Sequence, residues 1–211
     1  MIKEFTFDLD DRLINQFFKP IRRKEDVIIL TMNVIQFIGI SSCIPIKEVA
    51  GKMVLRISKM NRIFFYSNEK YFSISFPYNI EENNDGFKVF SPNAGEVSRV
   101  TISKVKSIFS DENIMSNGCI SLLADNVLDE SLSTPSFWVV LRELLLMEDG
   151  YLRYDHDTDR ENGHFHPVNH LDIFYSNKAG FKVGLDSKLL ENELIEIMDY
   201  ESECRYLQKP T

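Results

Sequence analysis

The sequence predicts an α+β fold: an antiparallel sheet with an N-terminal helix, a central buried helix at residues 135–147, a C-terminal three-stranded meander and a closing helix. Three observations lead there. Short runs of β-branched and aromatic residues (MVLRIS, RIFFYS and YFSISF) alternate with turn residues between positions 53 and 76. A second set, YLRYDHD, NHLDIFY and FKVGL, does the same between 151 and 185. Between the two lies TPSFWVVLRELLLM, an apolar stretch that opens with the residues that start helices.

The elements follow in order. From about Asp8 to Lys24, Leu13, Ile14, Phe17, Phe18 and Ile21 recur at spacings of three and four, which predicts a helix. Pro20 limits or bends it. The run from Val27 to Ile40 sets Val27, Leu30, Val34, Ile35 and Ile38 on one helical stripe, while its β-branched content favours strand. Helix is the reading adopted. RIFFYS and YFSISF are joined through Asn68-Glu69-Lys70 and read as a hairpin. Pro77 to Gly86 reads as a polar loop ending in the turn signal Asp85-Gly86, after which FKVF resumes a strand and SPNAGE closes it. VTISKVKSIF reads either way: Val100, Ile102, Lys104 and Lys106 alternate, whereas Ile102, Val105, Ile108 and Phe109 suit a helix. Thr134 is a natural N-cap and Pro135 suits the first helical position. Gly150 stands where a C-cap would. The meander is then YLRYDHD, the loop TDRENG, NHLDIFY, the turn SNKAG and FKVGL. A closing helix from Asp186 to Asp199 carries Leu189, Leu190, Leu194, Ile197 and Met198.

A chain of 211 residues makes one large domain or two small ones. The best boundary lies between Ser110 and Ser133, dividing 1–110 from 111–211, with a continuous domain 1–211 as the alternative. The charge changes sign near there. The first part has an excess of Lys and Arg, the second is strongly acidic, and the whole carries net charge −8. Nucleic acid would therefore lie against the N-terminal part, and an acidic half suits a metal ion or a basic partner. Cys43, Cys119 and Cys204 are far apart and contain no CxxC pair, so neither a thiolate zinc site nor a disulfide framework is indicated. That fits a reducing cytoplasm. The N-terminus MIKEFTFDLDD has acidic residues where a signal peptide needs an apolar core. The most apolar run is too short for a membrane span. A soluble, cytoplasmic protein is expected.

All four histidines fall in DHDTDRENGHFHPVNHLD, residues 155–172. Residues of equal parity share a face of a strand. If the strand extends back through Pro167, then His164, His166, His170 and Asp172 line one side. Pro167 restricts that strand to an edge or a bulge. On the preceding strand Arg153 and Asp155 share one face, and Tyr154 and His156 the other. Neutral imidazoles with a carboxylate bind Zn, Mn or Ni, so His164, His166, His170 and Asp172 are the candidate ligands of a divalent metal. The same groups can act without metal. A histidine beside an aspartate suits general acid–base chemistry, and the planar fork of Arg153 suits a phosphate. His166, His170, Asp155 and Arg153 are the candidate catalytic residues, and His156 and His164 sit nearer the turn. The competing reading is a solvated hairpin whose histidines bond to backbone. No HExxH, phosphate-binding glycine loop, GxSxG or deaminase signature is present.

The pattern L-R-Y-D, a polar loop, then H-x-H-P-x-x-H-x-D, over Leu152 to about Leu185, resembles that of small uncharacterised bacterial proteins of toxin–antitoxin, mobile-element or phage-defence loci. The resemblance implies a bacterial conflict or accessory protein and action on RNA.

Two further features bear on partners. Between Lys52 and Phe76, Lys52, Arg56, Lys59, Arg62 and Lys70 interleave with Phe64, Phe65, Tyr66, Tyr71 and Phe72. Such a surface can stack unpaired bases while neutralising phosphate, with Phe65 and Phe72 exposed; the preferred reading is a half-buried hairpin. Lys19, Arg22, Arg23 and Lys24 are expected to favour the dipole at the end of the first helix. Two functions emerge from different classes: an accessory or defence-associated protein that binds a protein partner, or a metal- or His/Asp-dependent hydrolase, a nuclease, using residues 155–172.

Overall fold

The computed structural model describes residues 2–84, 86–110, 134–176, 179–199 and 201–205. The fold is α+β. The strands are β1 (Lys3–Leu9), β2 (Gly51–Ile57), β3 (Arg62–Tyr66), β4 (Lys70–Ser75), β5 (Asn79–Asn83), β6 (Gly86–Ser91), β7 (Gly95–Glu96), β8 (Leu152–His156), β9 (Asn169–Ser176) and β10 (Ala179–Gly184). The helices are α1 (Asp11–Phe17), α2 (Lys24–Ile38), α3 (Arg99–Ser110), α4 (Pro135–Leu146) and α5 (Glu191–Met198). By packing, the chain forms two compact units drawn from interleaved stretches: 1–8, 50–74 and 150–211 in one, 9–49 and 75–149 in the other. The boundary expected between Ser110 and Ser133 falls almost wholly outside the described residues.

The first unit is built on a seven-stranded sheet ordered β1-β2-β3-β4-β8-β9-β10. The pairs β2–β3, β4–β8, β8–β9 and β9–β10 are antiparallel. The expected meander is therefore present, and it continues the earlier hairpin in one sheet. One face packs Val54, Phe64, Tyr66, Tyr71, Leu152, Tyr154 and Leu171 against Leu189 and Leu194, the latter from α5. The opposite face carries an aromatic row across the strands. Phe65 stacks on Phe72 at 4.4 Å, Phe72 meets Tyr151 edge-on at 5.9 Å, and Tyr151 stacks on Phe174 at 4.7 Å. Phe65 and Phe72 are buried. The base-stacking surface considered for residues 52–76 is thus not there, because these rings fill the sheet's own faces. Arg62 is buried too. Its Nε donates to Ser73 Oγ at 2.9 Å and its guanidinium to Gly150 O, and burial pulls its pKa down to about 10.

The second unit holds α1 to α4 and a three-stranded sheet ordered β5-β6-β7. The stripe decided α2 against its β-branched content. Val27, Ile28, Leu30, Met32, Val34, Ile35, Phe37 and Ile38 are all buried along fifteen residues, and burial on most of the circumference outweighs a propensity difference of a few tenths of a kcal/mol per residue. VTISKVKSIF is likewise helix, with Ile102, Val105, Ile108 and Phe109 inward.

Several boundaries differ from expectation. The segment from Asp8 is not helical at its start. Phe5, Phe7 and Leu9 alternate with polar residues and form β1. Asp10 then caps α1, its Oδ1 accepting from Leu13 N–H at 2.9 Å, and α1 stops at Phe17. Of the basic cluster only Lys19 therefore directly follows the end of α1. Arg22 and Arg23 lie ahead of α2, where both their backbone N–H groups donate to Asp26 Oδ2, and Lys24 pairs with Asp149 at 2.8 Å. The polar loop 77–86 contains β5, whose single buried side chain, Ile80, is too little to show a period of two. Thr134 caps α4 as expected, accepting from Phe137 N–H at 3.3 Å, but the helix ends at Leu146 with Met147 extended. It buries Phe137, Val140, Leu141 and Leu144 and leaves Trp138, Leu145 and Leu146 exposed, so it is not buried over most of its circumference. The closing helix begins only at Glu191. Glu193 reaches back to accept from Leu190 N–H at 2.7 Å, which fixes the start there.

Among the described residues no helix is long and apolar enough to cross a membrane. Cys43 and Cys204 are free thiols, and Cys119 lies outside the described residues.

Candidate functional site

The antiparallel register brings the charged residues of the meander onto one face. Asp155 stands opposite His170 and Arg153 opposite Asp172 across β8 and β9. Asp172 stands opposite Lys182 across β9 and β10. Adjacent strands lie about 5 Å apart, so side chains in these registers must touch.

They form one network. Arg153 Nε donates to Asp155 Oδ2 at 2.7 Å, and a terminal nitrogen of the same guanidinium donates to Asp172 Oδ2. Lys182 Nζ pairs with Asp172 Oδ1 at 3.0 Å. The same ammonium approaches His170 Nε2 at 2.9 Å and His166 Nε2 at 3.3 Å. An ammonium has three protons and no lone pair. Lys182 therefore donates all three, and both Nε2 atoms accept. His170 Nδ1 lies 2.8 Å from Pro167 O. A carbonyl oxygen only accepts, so the proton of His170 sits on Nδ1. The imidazole is neutral in this arrangement, a tautomer set by its partners. His170 Nε2 also lies 3.7 Å from Asp155 Oδ2.

The site is deep on one side and open on the other. Asp155, His170 and Asp172 are buried, with His170 at 0 % exposure. Arg153 and Lys182 reach partly to solvent, and His166 is half-buried. Two carboxylates against two cations make the cluster electrically balanced. Burial works to lower the pKa of Arg153, but Tyr151, Asp155 and Asp172 act the other way and raise it on balance, so Arg153 stays charged. Its guanidinium also lies over the Phe174 ring, 5.7 Å from the centroid. Arg153 is thus committed to holding the two carboxylates in place, rather than open to a phosphate as its sequence position implied.

The loop between β8 and β9 closes over the site. Asp157 N–H donates to Val168 O at 2.8 Å, and Asn162 and His166 bridge through Asn162 N–H to His166 O at 2.9 Å. Gly163 turns the chain at φ 48°, where a side chain would be strained. Pro167 packs over Gly184, opposite His170 in β10. A Cβ at 184 would come within 3.0 Å of the proline ring, so glycine is what lets the loop lie down there. At the loop's tip Phe165 is 88 % exposed.

Of the candidate residues, Arg153, Asp155, His166, His170 and Asp172 come together. The rings of His166 and His170 are 4.7 Å apart and set edge-on at 69°. His164 and His156 do not join them. β9 begins at Asn169, so Pro167 ends the even-numbered face two residues before the strand. His164 is left exposed in the loop. His156 projects to the other face, where its Nδ1 donates to Asn169 Oδ1 at 2.9 Å. The carboxylate that replaces His164 in the cluster is Asp155.

Asp155, His170 and Asp172 each offer one ligand atom, and these atoms lie within 4.8 Å of one another, a set that could hold a metal ion. The chemistry of two carboxylates and an imidazole suits Zn or Mn. In the arrangement present their outward lone pairs are taken by cations. An ion could enter only by displacing Lys182 from Asp172 and His170, and it would add positive charge beside Arg153.

Sequence reasoning missed Lys182. Its signal was available. Carrying the register from Asp172 one strand onward lands on FKVG, and the lysine there has the parity of the polar face.

No protein-family model matches the chain, and no curated protein or solved structure is significantly similar to it.

Proposed function

We propose that the first unit is a metal-independent phosphodiesterase acting on RNA, with His166 and Lys182 at the reacting end of the network. One observation carries this reading: two neutral imidazoles converge on a single lysine at the half-open edge of an otherwise buried, charge-balanced cluster. Water is a poor nucleophile without a metal, so a metal-free route needs a nucleophile inside the substrate. The 2′-hydroxyl of RNA supplies one. As the phosphate draws Lys182 away from His166, the freed Nε2 lone pair takes the proton of that hydroxyl while its oxygen bonds to phosphorus. The bond from phosphorus to the 5′-oxygen breaks, and that oxygen leaves with a proton from Lys182. The ammonium also opposes the charge that builds on the phosphoryl oxygens. His170 and Asp172 position Lys182, and Arg153 with Asp155 holds that pair.

The test is cleavage of matched RNA and DNA oligonucleotides by purified protein in excess chelator. RNA should be cut and DNA left intact. His166→Ala and Lys182→Ala should each lose about a hundredfold or more in rate; His166→Ala should keep the wild-type melting curve, since the side chain is half-buried in a loop, and Lys182→Ala, which leaves Asp172 with one cation, is assayed well below its own melting temperature. Cleavage only after Mn or Zn is added, abolished by Asp155→Asn, would replace this reading with the metal-dependent one. No cleavage under either condition would remove both.

The partner-binding function has its own support in the second unit. Trp138, Leu145 and Leu146 leave one stripe of α4 apolar and solvent-facing, the last at 75 % exposure. Charged substitutions at Leu145 and Leu146 that remove a co-purifying partner, with RNA cleavage absent, would favour it.

A further inference from the structure

The second unit contains a cleft of about 560 Å³ between the C-terminal end of α2, the strands β6 and β7, and the first turns of α3. That is the size of a small-molecule site. Its walls are of two kinds. Ile35, Phe87 and Ile102 supply apolar surface, while Lys88, Arg99 and Lys106 bring positive charge against one carboxylate, Glu96, among the described residues. Lys88 is already balanced, pairing with Glu96 at 2.9 Å. Lys106 Nζ donates to the neutral amide oxygen of Gln36 at 3.0 Å. Among the described residues neither Arg99 nor Lys106 has a carboxylate partner. Among the described residues the cleft therefore holds two cations without a carboxylate partner, beside an apolar floor.

Their spacing narrows the ligand. Arg99 and Lys106 are seven residues apart on α3, two turns along one stripe, or about 10 Å at 1.5 Å per residue. Ile102 and Ser103 lie between them on the same lining. Two cations reaching one cleft from positions two turns apart suit a ligand that carries more than one anionic group. A chain of phosphates is one, and the positive end of the α3 dipole lies at Arg99. We propose that this cleft binds an organic polyphosphate with a planar or apolar body, the class of nucleoside di- and triphosphates. Arg99 and Lys106 hold the phosphates, and the body rests against Ile35, Phe87 and Ile102. The proposal stands apart from the chemistry of the His-rich site, since none of its residues belongs to that unit.

Calorimetric titration of the full chain tests it, with ATP, adenosine and inorganic pyrophosphate as probes. ATP should bind more tightly than either fragment, because only ATP uses both walls. Arg99→Ala and Lys106→Ala should each weaken ATP about tenfold, the loss of one charge-assisted contact. Both residues sit outside the core, so the variants should melt as wild type does. Ser103→Trp, at an exposed lining position, should abolish binding by filling the cleft while leaving its charge unchanged. Absence of ATP binding at about 1 mM, the weak limit of a specific site, would overturn the proposal. So would equal affinity for ATP and adenosine, or variants that bind as wild type does. Binding of a single-stranded RNA oligonucleotide that depends on Arg99 and Lys106, without binding of ATP, would overturn it in favour of a polymeric ligand.

Discussion

The two faces of the seven-stranded sheet are built on opposite principles. One is apolar from β2 to β9, with Val54, Phe64, Tyr154 and Leu171 closing on Leu194 of the last helix. The other begins as a row of stacked aromatics and ends, at β8 to β10, in two carboxylates, two cations and two imidazoles. The apolar face stabilises by removing surface from water, and each fully buried large side chain contributes about 1.5–3 kcal/mol. The polar face has no such return. Desolvating charges costs about as much as their mutual attraction recovers, so well-packed apolar residues would hold the same strands at least as firmly. A fold gains nothing in stability by placing six interlocked polar groups there. The function proposed above rests on that cluster of polar groups at one sheet edge.

Experiments can break or sharpen that contrast. The largest effect on stability is expected from Arg153→Ala. It strands Asp155 and Asp172 without their shared cation, and the urea midpoint should fall by the equivalent of about 4 kcal/mol. A loss below about 1 kcal/mol would mean that the carboxylates are well solvated and the network is not a closed unit. On the other face, Leu194→Ala should cost about 3 kcal/mol by the same measurement, from lost burial and the cavity left behind, and should leave RNA cleavage unchanged.

The sharpest comparison replaces the network as a whole. Arg153→Met, Asp155→Leu, Asp172→Leu and Lys182→Met together remove every charge at once. Stability should stay within about 1 kcal/mol of wild type or rise, while cleavage disappears. A collapsed fold would show that the polar face is structural after all. The smallest effect concerns the loop that covers the site. Burial works to raise the pKa of Asp157, but the backbone N–H and side chain of Arg160 lower it overall. A carboxylate with a depressed folded pKa stabilises the fold above its unfolded value and loses that contribution as pH falls through the folded one. Asp157→Asn should therefore cost about 0.5 kcal/mol or less at neutral pH. The gap between variant and wild type should close in acid, below the ordinary carboxylate range. A gap that persists there would assign the effect to geometry rather than charge.

Much of this was legible before any coordinates. The α+β class, the hairpin β3–β4, the cap at Thr134 and the three strands of the meander follow from period, turn residues and caps, which are local properties. So does the shared face of His170 and Asp172, since parity along a strand is fixed by the chain itself. Errors clustered where local signals were thin. β5 had one buried side chain to announce it, and β1 was given no element except at Asp8 and Leu9, which were read into the helix that follows. Pro167 was recognised as a break, yet the extension of the face through it kept His164 in the ligand set.

What tertiary structure decided was which strand lies beside which, and in what register. Nothing local states that Asp155 faces His170, that Arg153 faces Asp172, or that Lys182 supplies the cation between two histidines. Those contacts join residues up to 19 positions apart, the separation of Arg153 and Asp172. They exist because antiparallel hydrogen bonding locks each pair opposite its partner, where a slip of one residue would turn the whole polar set to the other face. The sequence alone determined the composition of the site and the face of each strand. The register determined that five of those residues became one network.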